Sequence, residues 1–417
     1  MSFDVKIVAL ADICSDVSYG YTASASAEPV GPKFLRITDI QGGTVDWDNV
    51  PYCEISESKL SKNLLLKGDI VVARTGNSTG ENYMYSGDDP SVFASYLIRF
   101  KVDHSLANPH FVWLQMRTRR WWDFVSGAKS GSAQAGANAK VLGKFEVSLP
   151  PRKIQDHIVN IVSTLSEKIH INTQTNQTLE QMAHAIFKSW FVDFDPVKAK
   201  MNGEQPEGMD ATTASLFPEK LVESELGLIP DGWELTNIGK VSECFDKKRI
   251  PLSKRQREQK QGSIPYYGAT SVMDYVDEAI FDDIYLLIGE DGSVMKDDGT
   301  PFIQYIWGSA WVNNHAHVLQ GIKSVSTEQL MLFFQQTNIN AYVTGAVQLK
   351  INQRNMNSIP FIKAPKEINE RFYDVVAPLY AKIRAIKEEN EQLAKLRDTL
   401  LPKLLSGEID LDKVLDV

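Results

Sequence analysis

Glu290 and Asp291 stand side by side in IGEDGS, with Lys296 close behind them. Acids near a lysine are raw material for metal-dependent cleavage of a phosphodiester, but such a centre needs carboxylates converging from several elements. Cleavage is therefore the lesser reading of this loop. His315 and His317 sit two apart on an expected strand, which puts them on one face. A metal pair is one reading; histidines that hydrogen-bond or touch nucleic acid are the reading the pattern favours. Cys14, Cys53 and Cys244 are odd in number, far apart and in no C-x-x-C pair, so they read as reduced thiols and not as a zinc site. The chain has no G-x-x-x-x-G-K-[ST] loop, no D/N-P-P-Y/F tetrapeptide of the amino-methyltransferase type and no glycine-rich cofactor loop. No catalytic centre and no metal site are expected.

At 417 residues the chain is long enough for two or three domains. Its net charge of −9 argues against a protein that coats nucleic acid without specificity. Charge is unevenly placed, however. Asp246 to Gly262 carries seven basic and two acidic residues, and Arg117, Arg119 and Arg120 run into Trp121 and Trp122. Such runs are either local phosphate-facing surfaces or solvated faces. The N-terminal MSFDVKIVALADICSDVS lacks a basic region followed by an apolar one, and no apolar run reaches membrane-span length, so a cytoplasmic protein with no membrane partner is expected.

Whatever these residues do, long helices must position them. In Pro150 to Asp195 the residues Ile154, Ile158, Ile161, Leu165, Ile169, Leu179, Met182, Ile186 and Trp190 recur at three- and four-residue steps. Pro150 and Pro151 suit its start and Pro196 its end. A helix of this length measures about 60 Å. The pattern returns 214 positions later in Lys366 to Leu405, where Ile154 aligns with Ile368, Ile158 with Phe372, Leu165 with Leu379 and Asn176 with Asn390. Two such helices most economically cover each other as an antiparallel coiled coil. The Asn in each stripe either fixes register or sits solvated at the seam's edge, and the pattern favours the edge. Pro378 predicts a kink or break near Ala377.

The segment Gln177 to Val197, QTLEQMAHAIFKSWFVDFDPV, resembles the central region of the specificity subunit of Type I restriction-modification systems. Gly68 to Gly76, GDIVVARTG, resembles a strand and loop of that family's target recognition domains. Ser148 to Gln155 resembles the junction into its helix, and Leu226 to Trp233, LGLIPDGW, the lead-in to its second recognition domain. In family order the resemblance covers essentially the whole chain. It implies a subunit without catalysis that binds double-stranded DNA, two methyltransferase subunits and ATP-dependent restriction subunits. S-adenosylmethionine, ATP and magnesium would serve those partners, with no cofactor on this chain.

The expected fold class is α/β (α+β): two globular target recognition domains separated by an antiparallel pair of long coiled-coil helices, with a pseudo-twofold internal repeat. The boundaries read as recognition domain 1–149, central helix 150–194, linker 195–230, recognition domain 231–365, distal helix 366–406 and tail 407–417. Lys33 to Ile40, Asp69 to Ala73 and Ser95 to Phe100 read as strands, Asn108 through Trp122 as helix, and Ser126 to Asn138 as a glycine-rich loop. The strand Asp283 to Ile288 and the helix Glu328 to Gln335 repeat the first domain's plan.

Reading DNA sequence takes side chains with fixed donor and acceptor patterns on rigidly held loops, plus cations for phosphates. The first domain offers Arg74, Thr75, Asn77, Ser78 and Thr79 in one loop, and Lys129, Ser130, Ser132 and Gln134 in another. The second offers Asn313, Asn314 and His315, then Thr344, Gln348 and Lys350. Several of these amides and hydroxyls would instead satisfy turns. The rings of Phe187, Trp190, Phe191 and Phe194 exceed what a two-helix seam needs. They are either a methyltransferase-subunit contact or a cluster closing the end of the coil. Two departures from the family pattern stand out: the second junction reads APKEIN, with Asn369 where the first has Gln155, and the first domain lacks the G-x-I-P-x-G-W lead-in. A stand-alone nuclease or methyltransferase, and a repeated α/β scaffold unrelated to DNA, are the competing functions.

Overall fold

The structure is a computed structural model that describes residues 5–130, 137–345, 347–409 and 411, with Lys129 and Ser130 in backbone only. It divides into two compact units, Met1–Ile171 with Asn390–Val417, and Asn172–Glu389. Both long helices are present, Arg152–Phe191 and Lys366–Ser406, and each unit contains part of both.

In the first unit, Leu404 and Leu411 close on Ile154, Ile158 and Val162. A four-stranded antiparallel sheet runs in the order Cys14–Tyr19, Leu97–Val102, Ile70–Ala73, Asn82–Met84. Ile70–Ala73, IVVA, is buried along its whole length, as β-branched residues in a central strand should be. A short parallel pair joins Lys33–Leu35 to Ser91–Phe93, and Lys6–Ala9 pairs antiparallel with Glu146–Leu149 just before the first long helix. The expected helix from Asn108 through Trp122 is two helices, Pro109–Gln115 and Arg119–Ser130. The first starts on an Asn108 cap with Pro109 in its opening turn. The second continues through Ser126 to Ser130, where a glycine-rich loop is expected. Trp121 and Val125, both buried, fix that helix on the sheet and override the small residues after them.

The second unit repeats this plan with its own residues. Its antiparallel sheet runs Ser242–Cys244, Ala316–Gly321, Tyr285–Gly289, Ile303–Ile306. The parallel pair is Gln261–Tyr267 with Ser309–Val312, and Glu234–Asn237 pairs antiparallel with Pro360–Lys363 just before the second long helix. Here Asn172 Nδ2 donates to Glu389 Oε2 at 2.8 Å, and Phe187 meets Phe372 at 6.0 Å between centroids. Rising numbers on one helix meet falling numbers on the other, so the pair is antiparallel.

Three expectations about these helices and one about the segment after the first of them need correction. Val162, Ala183 and Phe187 are buried in place of Ile161, Met182 and Ile186, and Met182 is 47% exposed. A seam counted in threes and fours drifts against the 3.6-residue turn, which moves the buried line by one residue. Asn176 is buried, not solvated, with Nδ2 donating to Ile383 O at 3.4 Å. Of the kink or break expected near Ala377, the break does not occur, because the helix continues through Pro378. This proline is exposed, as is Asp374, whose carbonyl loses its partner where water can replace it, while Phe372, Val376 and Tyr380 are buried on the opposite side. Finally, residues 195–230 are not a bare linker. They form helices Asp195–Met201 and Ala211–Ser215 and the hairpin Leu221–Ser224 with Gly227–Pro230, and they bury Val197 and Phe217 in the unit's core.

The departure at Asn369 is one of sequence and not of geometry. Gln155 Nε2 donates to Pro150 O at 2.9 Å, and Asn369 Nδ2 donates to Ala364 O at 2.9 Å. Both span five residues across the turn into a long helix. Gln155 Oε1 also accepts the Asn108 N–H, and Asn369 Oδ1 accepts from Gln329 Nε2, so each amide ties its junction to a neighbouring helix.

Candidate nucleic-acid interface

In each unit the loop after the central strand is gathered by the same backbone frame. Arg74 N–H donates to Tyr96 O at 3.1 Å, and Arg74 O accepts the Ala137 N–H at 2.9 Å. In the second unit Glu290 N–H donates to His315 O at 2.8 Å, and Glu290 O accepts the Ile351 N–H at 2.9 Å. Two residues on, Gly76 (φ 68°) and Gly292 (φ 73°) take the left-handed conformation that turns each loop back. Strands Ile70–Ala73 and Tyr285–Gly289 thus end in equivalent platforms, one headed by Arg74 and the other by Glu290.

Around Arg74 the first platform is aromatic. The guanidinium lies 5.1 Å from the Tyr19 ring centroid and 5.9 Å from that of Tyr96, and Nε donates to Ser95 O at 3.1 Å. Thr75 and Ser78 are half-buried and Asn77 is exposed. Thr79 is fully buried, and its hydroxyl donates to Gly76 O at 2.7 Å, so it closes the turn and is removed from the reading set. Lys129 and Ser130 end the helix Arg119–Ser130, and Ser132 and Gln134 lie outside the described residues.

In the second unit three loops converge. Thr344 and Lys350 bridge each other through backbone bonds, Gly292 N–H donates to Leu349 O at 3.0 Å, and His315 Nδ1 meets Asp291 Oδ1 at 2.5 Å. Asn314, His315, Thr344, Gln348 and Lys350 are exposed together on this platform. Asn313 is not with them. It is buried, its Oδ1 accepting the His315 N–H at 2.8 Å, so it shapes the turn. Glu290 is held by Arg249 Nη1 at 2.7 Å and Lys350 Nζ at 3.4 Å, an ion-paired arrangement and not an open acid centre.

His315 and His317 do not share an environment. His315 precedes strand Ala316–Gly321 and is exposed, whereas His317 is buried within it. His317 Nε2 lies 2.9 Å from Ile351 O and Nδ1 lies 2.5 Å from Asp246 Oδ2. Cys244, Asp246 and His317 offer three donor atoms within 4.8 Å of one another. Arg249 already occupies Asp246 Oδ2 at 3.2 Å, and the Val318 N–H occupies Oδ1 at 3.0 Å. Burial alone would raise the Asp246 carboxyl, yet the His317 bond and charge, the Val318 N–H and Arg249 hold it below the ordinary range. The Cys244 thiol is pushed up to about 12, chiefly by burial and then by Asp246. These groups fit a hydrogen-bonded network in which a guanidinium already supplies the cation. Cys14 is likewise pushed up to about 12 by burial and Asp16, so neither thiol is a ready nucleophile.

The basic runs are partly spent inside the fold. Arg249, Arg257 and Lys260 pair with Glu290, Asp274 and Glu278, while Lys247, Lys248, Lys254 and Arg255 are exposed. Arg119 and Arg120 pair with Asp123 and Glu146, and Arg117 donates to Gly42 O.

Phe187, Trp190, Phe191 and Phe194 are each no more than 7% exposed. Trp190 stands edge-on to Phe217 at 5.2 Å, Phe191 edge-on to Phe372 at 4.8 Å, and Phe194 edge-on to Trp233 at 5.5 Å. A contact surface for a methyltransferase subunit needs accessible rings, so the structure corrects that reading: these rings close the helix pair onto residues 195–233. Tyr19 and Tyr96, which frame Arg74, were not legible as site residues, because they lie 55 and 22 positions from it.

Known proteins are similar to this chain along most of its length. The Type I restriction enzyme HindI specificity subunit of Haemophilus influenzae is 26% identical over 468 aligned residues, spanning 97% of this chain and 100% of that protein. The Type I restriction enzyme MjaIX specificity subunit of Methanocaldococcus jannaschii is 21% identical over 326 residues, 73% of this chain and 70% of that one. The crystal structure of the S subunit of a Type-I restriction-modification system from M. genitalium superposes at a TM-score of 0.58 with 15% identity, covering 97% of this chain and 96% of that one, a likeness of fold. The model of the family described as Type I restriction modification DNA specificity domain matches twice, over residues 4–181 and 230–395, and the chain belongs to that family.

Proposed function

We propose that the chain is the DNA sequence-recognition subunit of a Type I restriction-modification complex. It reads a split target, one half-site per recognition domain, and it recruits two methyltransferase subunits and the ATP-dependent restriction subunits. It is a recognition component and not an enzyme; S-adenosylmethionine, ATP and magnesium belong to the partners. The observation that carries this reading is the duplicated platform: the same strand order and backbone frame occur twice, headed by different side chains. Two readers built alike but lined differently suit two different short sequences. A 40-residue helix is about 60 Å long, against about 34 Å for a turn of B-DNA. The helices therefore suit a ruler that sets the unspecified spacer, while the loops set base identity. The target adenine would be flipped out into the methyltransferase partner's pocket to be methylated.

Purified full-length chain with its methyltransferase subunits tests this by selection from random duplex DNA. The expected result is a motif of two short specified segments around a fixed gap, with binding that weakens steeply as salt rises. Failure to bind duplex DNA at any salt, even with the methyltransferase present, would favour a scaffold unrelated to DNA. The chain alone, given DNA, magnesium and S-adenosylmethionine, should neither cut nor methylate, and activity there would make it a stand-alone nuclease or methyltransferase.

A further inference from the structure

Among the charged side chains on the two platforms, Arg74 is held yet left open. Its Nε is taken by Ser95 O, but no group among the described residues accepts from either Nη, and neither Nη is a buried orphan. No carboxylate pairs with it among the described residues, in contrast to Arg99, which pairs with Asp16, and Arg249, which pairs with Glu290. Tyr19 and Tyr96 flank the guanidinium, and Tyr19 is itself fixed because its Oη accepts the Ala139 N–H at 3.1 Å. Stacking on aromatic faces and a bonded Nε restrict the long side chain before any ligand arrives, so less ordering cost remains for binding.

We propose that Arg74 reads a guanine in the half-site bound by the first recognition domain, with Tyr19 and Tyr96 as positioning residues. The proposal rests on the DNA-recognition reading above and deepens it. With Nε occupied, the end-on Nη1 and Nη2 pair is the fork that remains, and it matches the O6 and N7 acceptors of guanine in the major groove. Phosphate also takes an arginine fork, but it offers the same oxygens at every base pair, so only a guanine contact makes the enriched motif depend on the fork. The second platform supplies the contrast. Glu290 occupies the equivalent backbone position but is neutralised by Arg249 and Lys350. The same frame therefore presents an open guanidinium in one domain and a closed ion pair in the other, so this guanine contact belongs to one half-site alone.

The test is selection from random duplex DNA by the full-length chain in complex with its methyltransferase subunits, comparing wild type with Arg74→Lys, Arg74→Ala and Tyr96→Leu. Lysine keeps the charge and loses the fork. At one position of one half-site, Arg74→Lys and Arg74→Ala should each reduce the guanine preference by about tenfold or more. Tyr96→Leu should weaken the same preference while leaving the thermal midpoint of the fold near wild type. The other half-site and the gap should not change. An unchanged motif in Arg74→Lys, with uniformly weaker binding and a shallower salt dependence in Arg74→Ala, would make Arg74 a phosphate contact and overturn the proposal. A wild-type complex that enriches no motif would instead overturn the DNA-recognition reading itself.

Discussion

Replacing Trp190 by alanine separates a core role from a surface role for the aromatic cluster. The indole is 7% exposed and lies 5.2 Å from Phe217, 5.7 Å from Phe372 and 6.3 Å from Phe191, all within the unit Asn172–Glu389. Truncating a buried tryptophan to alanine costs about 3–5 kcal/mol, through lost transfer free energy and the cavity left behind. In a unit of this size each kcal/mol lowers the melting midpoint by about 2–4 °C, so a drop of about 6–20 °C is expected. Differential scanning calorimetry of the full chain, with near-ultraviolet circular dichroism to follow the aromatic environment, measures it. Trp190→Phe, which refills most of the space, should recover more than half of the loss. Below its melting temperature Trp190→Ala should still co-purify with the methyltransferase. An unchanged midpoint together with lost co-purification would mean that the ring is a contact surface, and the burial argument would be wrong.

Three further outcomes follow from the same geometry. Asn369→Leu leaves Ala364 O and Gln329 Nε2 without their partner in a buried junction, at about 1–3 kcal/mol for each orphaned group; the urea midpoint should fall, and an unchanged midpoint would contradict this. Because the Asp246 carboxyl is held below its ordinary range in the folded chain, its contribution is present above an unfolded pKa of about 3.9 and is lost as pH falls through the lower folded value. Asp246→Asn should therefore flatten the loss of stability of the second unit on the acid side of about pH 4, as read by chemical denaturation across pH; an acid limb identical to wild type would contradict this. Lys254→Ala with Arg255→Ala removes two exposed cations that have no carboxylate partner among the described residues. If both face phosphate, duplex binding should weaken without a change of motif, and the salt slope should fall by about 2.

How much of this was readable from residues alone differs by element. The long helices were legible because hardly any fold except a long helix sustains a three- to four-residue apolar period over forty residues, and the offset of 214 exposed the repeat. The position of the seam was less so, because spacing fixes a stripe only to within a residue, and the change from Met182 to Ala183 depends on what the partner helix presents. Residues 195–230 look like breakers in sequence, yet Val197 and Phe217 are apolar anchors for which the long helix had already supplied a surface. The platform at Arg74 was half legible. GDIVVARTG marks the strand and turn, but Tyr19 and Tyr96 reach Arg74 only through strand pairing between Ile70–Ala73, Leu97–Val102 and Cys14–Tyr19. Thr79 and Asn313 were misplaced for the opposite reason: a polar side chain in a loop looks the same in sequence whether it faces DNA or closes its own turn.

The most direct test of a two-reader, one-ruler protein is a domain exchange read out by methylation. Residues 1–149 are replaced by the corresponding domain of a relative with a different target, the chimera is expressed with its methyltransferase, and adenine methylation is mapped across the genome. One half of the methylated sequence should change to the donor's, with the other half and the gap between them retained. If both halves change, or the gap does while the helices are untouched, recognition is not divided between two independently reading domains.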